Sequence, residues 1–168
     1  KVLLETHKGS AEIIAASHRQ VIVAGLVEGC RTKGLLDLAP EGMDFIADLK
    51  TLRTSAFSKE GMAKEVAMRG YHCQLSLYIE LWNASFPNDQ RKRAKIVWQD
   101  SSPPYEVAVT ELSPLDLEAG WLYISVLVRR IVEATKNNHW PMAFEQETMI
   151  SRPTWAAMNE ETKLTAQH

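Results

Sequence analysis

The apolar positions change period repeatedly along the chain, and each change marks an element. Residues 10–17 carry Ala11, Ile13, Ile14 and Ala15 at helical spacing, which predicts the end of a short helix. Residues 20–27 are rich in β-branched side chains and predict a strand. Glu28-Gly29 supplies a turn, and residues 31–38 predict a second strand hairpin-paired to the first. Ala39-Pro40-Glu41-Gly42 forms a turn, and residues 44–50 give a third strand. The pattern then turns helical. Met62, Val66, Cys73, Leu77 and Leu81 predict one long helix over residues 61–84, interrupted at Gly70 and stopped by Phe86-Pro87-Asn88. Two strands follow, over residues 94–99 and 105–112. A second long helix covers residues 115–134, opened by Ser113 as cap, Pro114 at the first position and the acidic Asp116 and Glu118. Trp140-Pro141 closes that region, and residues 153–164 predict a last short helix.

Helix, three strands, helix, two strands and helix add up to an α/β domain, a mixed sheet with helices on both faces. At 168 residues, one such domain over 1–168 is expected. Composition is ordinary for a globular protein, 45% hydrophobic and 24% charged, which excludes a disordered or collagen-like chain. The net charge of −2 excludes a uniformly basic nucleic-acid coat but leaves room for a local basic groove. The two cysteines, Cys30 and Cys73, lack zinc-site spacing and fit a reducing compartment. No run of 18 apolar residues marks a membrane span. The chain starts without Met or a signal-peptide core, so residues that contribute to function can lie upstream. No Gly-x-Gly-x-x-Gly follows a strand, and phosphate-binding loop, serine-elbow and His-Glu-x-x-His motifs are missing.

The candidate chemistry lies between residues 33 and 78. Asp48 and Lys50 are two apart on the third strand, so their side chains share a face while Leu49 points into the sheet. Antiparallel pairing with the second strand brings Asp37 to the same spot. Two carboxylates can hold Mg²⁺ through hard oxygens, and an ammonium can orient a water or meet developing negative charge. An Asp-x-Lys triplet on a strand edge is also common as plain solvated surface. Phe45, Ile46 and Ala47 argue for a buried strand here, and buried charges need partners. Gln74 and Tyr78 share a helix face at i and i+4, where both can hydrogen-bond phosphate oxygens or the Asp/Lys cluster. The alternative is a core helix whose polar tips happen to align. Arg91-Lys92-Arg93-Ala94-Lys95 is the densest basic run and reads either as a DNA-backbone contact or as a solvated loop. The scattered tryptophans and the histidines His7, His18 and His139 read as packing and surface residues.

These residues resemble the PD-(D/E)xK nucleases, and within them the phage and prophage RecE-like exonucleases related to RecB-type nuclease domains. Lys33-Gly34-Leu35-Leu36-Asp37 and Asp48-Leu49-Lys50-Thr51 match the two core strands. Gly70-Tyr71-His72-Cys73-Gln74-Leu75-Ser76-Leu77-Tyr78 is similar to the family's Gly-Tyr-x-x-Gln-x-x-x-Tyr helix. Pro104-Tyr105, Gly120 and Trp140-Pro141 follow in the family's order, so the resemblance spans roughly residues 18–157. It implies a restriction-endonuclease-like fold, with Asp37, Asp48, Lys50, Gln74 and Tyr78 as catalytic residues. One or two Mg²⁺ or Mn²⁺ ions would be held by Asp37, Asp48 and the Leu49 backbone carbonyl. DNA would be held by Thr51, Arg69, Gln74 and Tyr78. The implied activity is 5′ to 3′ exonuclease action on double-stranded DNA with a free end, in a bacterial or phage-infected cytoplasm. A single-strand annealing partner and a ring-like homo-oligomer come with it. One position departs from the pattern: the acid at the head of the first strand is replaced by Gln20, a neutral ligand. Glu5, Glu28 or an upstream residue are the other sources of that charge. A non-catalytic DNA-binding or structural subunit and an endonuclease on the same fold are the alternative functions.

Overall fold

The computed structural model describes residues 2–142, 147, 149 and 150, and the helix expected over residues 153–164 lies outside them. The chain divides into two compact units, 1–133 and 134–168. The first unit opens with two short helices, α1 (Val2–Thr6) and α2 (Lys8–Ala16). The hairpin β1 (Ser17–Val27) and β2 (Cys30–Pro40) follows, then β3 (Phe45–Leu52), α3 (Lys59–Arg69), α4 (Tyr71–Ser85), β4 (Arg93–Asp100) and β5 (Val107–Glu111). A last helix, α5 (Pro114–Asn137), begins in this unit. In the second unit, the residue after α5, Asn138, takes a left-handed turn with φ 47°, and the His139 N–H bonds the Ala134 carbonyl at 3.0 Å.

The five strands form one sheet in the order β1-β2-β3-β4-β5. Only β3 and β4 run parallel, joined by the α3–α4 crossover. Two cores sandwich the sheet, as expected of a mixed sheet with helices on both faces. Val23, Leu36, Ile46, Leu75, Ile96 and Trp98 pack on the α3/α4 face, and Leu4, Ile13, Leu38, Phe45 and Val97 on the α1/α2 face.

The long helix expected over residues 61–84 is two helices. Gly70 adopts φ 65° and ψ 32°, and its N–H bonds back to the Val66 carbonyl, which ends α3. A left-handed residue costs least as glycine, so Gly70 sets the break. Ser58 caps α3 by accepting the Gly61 N–H at 3.0 Å. Ser113 caps α5 as expected, accepting the Asp116 N–H at 3.1 Å. The fifth strand starts at Val107 rather than Tyr105, because Tyr105 itself takes a left-handed φ of 60°.

Helix α4 lies against the hairpin, where glycine permits close approach. A Cβ on Gly34 would come within 2.7 Å of the Tyr78 ring. At the outer edge of β1, Ser85 accepts the Ala24 N–H at 2.9 Å and donates to the Ala24 carbonyl at 3.0 Å. The other face of the hairpin is bare, with Ile22 72% and Leu26 71% exposed. Among the described residues no helix is long and apolar enough to cross a membrane.

Candidate active site

Strand pairing assembles the acids. The β1–β2 ladder joins Arg19 to Leu38 and Val21 to Leu36 but skips the pair between them. That pair would be Gln20 with Asp37, and Gln20 has left the strand conformation at φ 53°. On the other side β2 meets β3 through the single pair Leu38↔Ala47, which sets Asp37 opposite Asp48. Gln20, Asp37 and Asp48 thus fall in one row across three strands, where the sheet parts.

Asp37 fills the gap by accepting the Leu49 N–H on Oδ2 at 3.2 Å. Asp48 is 2% exposed and Lys50 lies on the same face, its Nζ 2.5 Å from Asp48 Oδ2. Helix α4 completes the chain of contacts. Lys50 Nζ donates to Gln74 Oε1 at 3.2 Å, and Gln74 Nε2 donates to the Tyr78 hydroxyl at 3.2 Å. The structure thus brings Asp48, Lys50, Gln74 and Tyr78 into one line of contacts, with Asp37 beside it on the Leu49 N–H. Burial pushes the Asp48 carboxyl up to about 6; the Lys50 ammonium opposes that rise and the neighbouring Asp37 carboxylate adds to it.

Leu49 corrects one expectation. Its side chain does not point into the sheet core. It lines a hollow of about 400 Å³ on the opposite face, together with Glu5, Arg19, Gln20 and Asp37. Helix α1 thus brings Glu5 to the same hollow as Gln20. Glu28 is excluded from the site, since it sits at the hairpin turn and pairs with Arg129 at 3.5 Å. Thr51 and Arg69 line a second, polar hollow with Arg53, Ser55, Glu65 and Ser101. Arg69 is held there by Glu65.

The basic run is neither a solvated loop nor a free basic patch. Arg91 is 1% exposed, donates to the Pro40 and Phe45 carbonyls at 2.6 and 2.9 Å, and pairs with Asp89. Arg93 is tied to Glu111 and Asp44, and Lys95 faces Glu111. Two residues that spacing does not single out also shape the site. Gly34 makes room for Tyr78, and Tyr71 lies beside Lys50.

Does the donor set suit a divalent cation? Among the described residues no three His, Cys, Asp or Glu side chains stand close enough to hold one unaided. The two carboxylates are hard-oxygen donors, and the buried Asp48 Oδ2 already faces the Lys50 ammonium. Two neighbouring acids in a desolvated seam repel one another, and a cation between them removes that cost. Asp37 and Asp48 are the carboxylates that could hold a divalent ion, and Gln20 and Glu5 line the hollow beside Asp37.

A sheet with one parallel pair and an Asp…Asp-x-Lys cluster where two strands diverge defines a PD-(D/E)xK-type domain. The profile of the PDDEXK-like domain of unknown function (DUF3799) matches residues 2–152, and the chain belongs to that family. No curated protein matches the sequence significantly. Among solved structures, the chain is similar to a "Putative exonuclease" from Eubacterium rectale, with a TM-score of 0.60 and 16% identity. The match covers 90% of this chain and 64% of that one. A crystal structure of SSO0001 aligns with a TM-score of 0.43 and 16% identity, over 85% of this chain and 60% of that one. The chain therefore spans under two thirds of the solved neighbours it matches.

Proposed function

We propose that this chain is a metal-dependent deoxyribonuclease that degrades linear duplex DNA from an end. The observation that carries the reading is the line of contacts from Asp48 through Lys50 to Gln74 and Tyr78, with Asp37 beside it on the Leu49 N–H. In this reading Asp37, Asp48 and the Leu49 carbonyl hold a Mg²⁺ or Mn²⁺ ion, which supplies Lewis-acid polarisation of the phosphodiester and a more acidic water. Lys50 presents a positive charge toward the phosphorane-like oxygens that develop in the transition state. Gln74 keeps the ammonium aimed, since its carbonyl accepts from Nζ while its amide is spent on Tyr78. The Tyr78 hydroxyl, having accepted from Gln74, keeps its own proton free to donate to a phosphate oxygen. Asp48 is shielded from solvent, which strengthens its interaction with the charges beside it.

The exonuclease reading, the 5′ to 3′ polarity, a recombination or repair role beside an annealing protein, and a ring-like homo-oligomer draw support from the sequence motifs. The neighbour's name agrees with the first of them. End-labelled linear duplex and covalently closed circular duplex, each with and without Mg²⁺, test the proposal. Mg²⁺-dependent loss of the linear DNA with intact circles is expected. Cut circles would point to an endonuclease. Retarded but uncut DNA would point to a binding subunit, the reading that the neutral Gln20 favours.

A further inference from the structure

The Lys50 ammonium has a third neighbour besides Asp48 and Gln74. It lies 4.6 Å from the centroid of the Tyr71 ring. Tyr71 is the first residue of α4, set there by the left-handed Gly70 that ends α3. The ring does not stand alone, and at its hydroxyl end the residue interacts electrostatically with Arg69. It is 6.1 Å from the Trp98 ring at an interplanar angle of 55°, a tilted arrangement that aromatic pairs favour. Trp98 is fully buried and is fixed by its indole N–H, which donates to Thr110 Oγ1 at 2.8 Å. Trp98 is also the register partner of Lys50 across the parallel β3–β4 pair. Strand and helix thus build a rigid stack that ends beneath the ammonium.

The Tyr71 hydroxyl makes no hydrogen bond among the described residues, so the ring face is what the residue offers. A lysine stem has four rotatable carbons, and its compact charge takes any direction its neighbours allow. Asp48 and Gln74 pull the ammonium along two lines, and an aromatic face restrains it in a third. We infer that Tyr71 is a positioning residue for Lys50, holding the ammonium over the seam through the face of its ring. The inference rests on the nuclease reading for its kinetic consequence but not for its geometric one.

The experiment compares Tyr71→Phe, Tyr71→Leu and a ring-trifluorinated phenylalanine at position 71, which keeps the shape and weakens the ring's electron density. On linear duplex with Mg²⁺, Tyr71→Phe should keep kcat within about twofold of wild type. The trifluorinated ring and Tyr71→Leu should lower kcat about tenfold at unchanged KM. In ¹H–¹³C spectra the Lys50 Cε protons should sit upfield of those of other lysines in wild type and in Tyr71→Phe. In Tyr71→Leu they should move to the ordinary position. The trifluorinated variant decides the matter should Tyr71→Leu fail to fold. Equal kcat for the fluorinated and plain rings, or a loss in Tyr71→Phe as large as in Tyr71→Leu, would overturn the proposal. A wild type that leaves linear DNA intact sinks the nuclease reading instead, and the Lys50 signal then decides the placement by itself.

Discussion

The two ends of the sheet, an antiparallel hairpin and a parallel pair, are each well paired and joined poorly. The β1–β2 hairpin pairs over ten residue pairs, and β3–β4 over eight without a gap. Between them β2 and β3 share a single pair. Each half is held by its own ladder of backbone pairs. The seam lacks a ladder and is bridged by side chains instead: Asp37 to the Leu49 N–H, and α4 lying across both halves with Tyr78 on Gly34 and Gln74 on Lys50. What this teaches is that charge gathers where backbone pairing is thinnest. A cleft needs oxygens that are not already spent on a sheet.

The seam should therefore respond to substitution differently from either half. The largest effect is expected at Asp48. Asp48→Asn should lower cleavage by about three orders of magnitude or more, read as the rate on end-labelled DNA. It should also stabilise the metal-free protein. The Asp48 carboxyl is held near 6 in the folded chain against 3.8 as the ordinary value. Between those values the folded chain binds more protons than the unfolded one, so wild-type stability falls as pH rises from about 4 to 6 and then levels off. The Asn variant lacks that decline and should be about 2–3 kcal/mol more stable at pH 8. Denaturant curves at pH 4 and pH 8 measure it. A variant equally destabilised at both would mean that Asp48 is a structural ion-pair partner of Lys50.

Gly34→Ala comes next. Its Cβ would lie 2.7 and 2.9 Å from two Tyr78 ring carbons, so α4 or the ring must shift. A loss of about 1–3 kcal/mol is expected from such overpacking, with a fall in kcat because Tyr78 is displaced. Unchanged kcat at reduced stability would detach Tyr78 from the chemistry. Gln74→Ala should lower kcat about tenfold, as a lost charged hydrogen bond would, while the melting temperature barely moves. Tyr78→Phe should do less. A melting drop of several degrees with full specific activity would return both residues to plain helix packing.

The smallest effect belongs to the rim. Gln20→Glu should lower the Mg²⁺ concentration for half-maximal activity severalfold, since ligand charge tunes affinity. Glu5→Gln should raise it. Superimposable titrations for Gln20→Glu would take Gln20 out of the ion's surroundings, and a shift in Glu5→Gln alone would hand its role to α1.

Much of this was legible in the sequence, for local reasons. Period two places Asp48 and Lys50 on one face, and i,i+4 spacing aligns Gln74 with Tyr78, whatever the fold. Pairing of the second and third strands brought Asp37 to them. Long-range facts were not legible. Whether β2 and β3 pair over one residue or eight depends on how the halves pack. Leu49 was expected to point into the sheet because it alternates with Asp48 and Lys50, yet the face it takes is the one that opens into the hollow. The basic run at 91–95 looked available because its partners, Asp44, Asp89 and Glu111, come from two loops and a strand end. Tyr71 entered only as part of the Gly-Tyr-x-x-Gln-x-x-x-Tyr pattern, because nothing in its spacing announces a lysine from another strand.

The Ser85 hydroxyl on the rim of β1 carries a meaning beyond folding. A strand at the border of a sheet offers its free N–H and C=O to any passing chain, and this one also shows bare Ile22 and Leu26 on its open face. Those are the ingredients of intermolecular strand addition and of amyloid-like stacking. Ser85 occupies both polar groups of Ala24, midway along that border. An incoming strand must first dislodge a side chain that both donates and accepts, and must do so beside α4, whose last turn supplies it. One small side chain thus takes up the two backbone groups of Ala24 that an added strand would need.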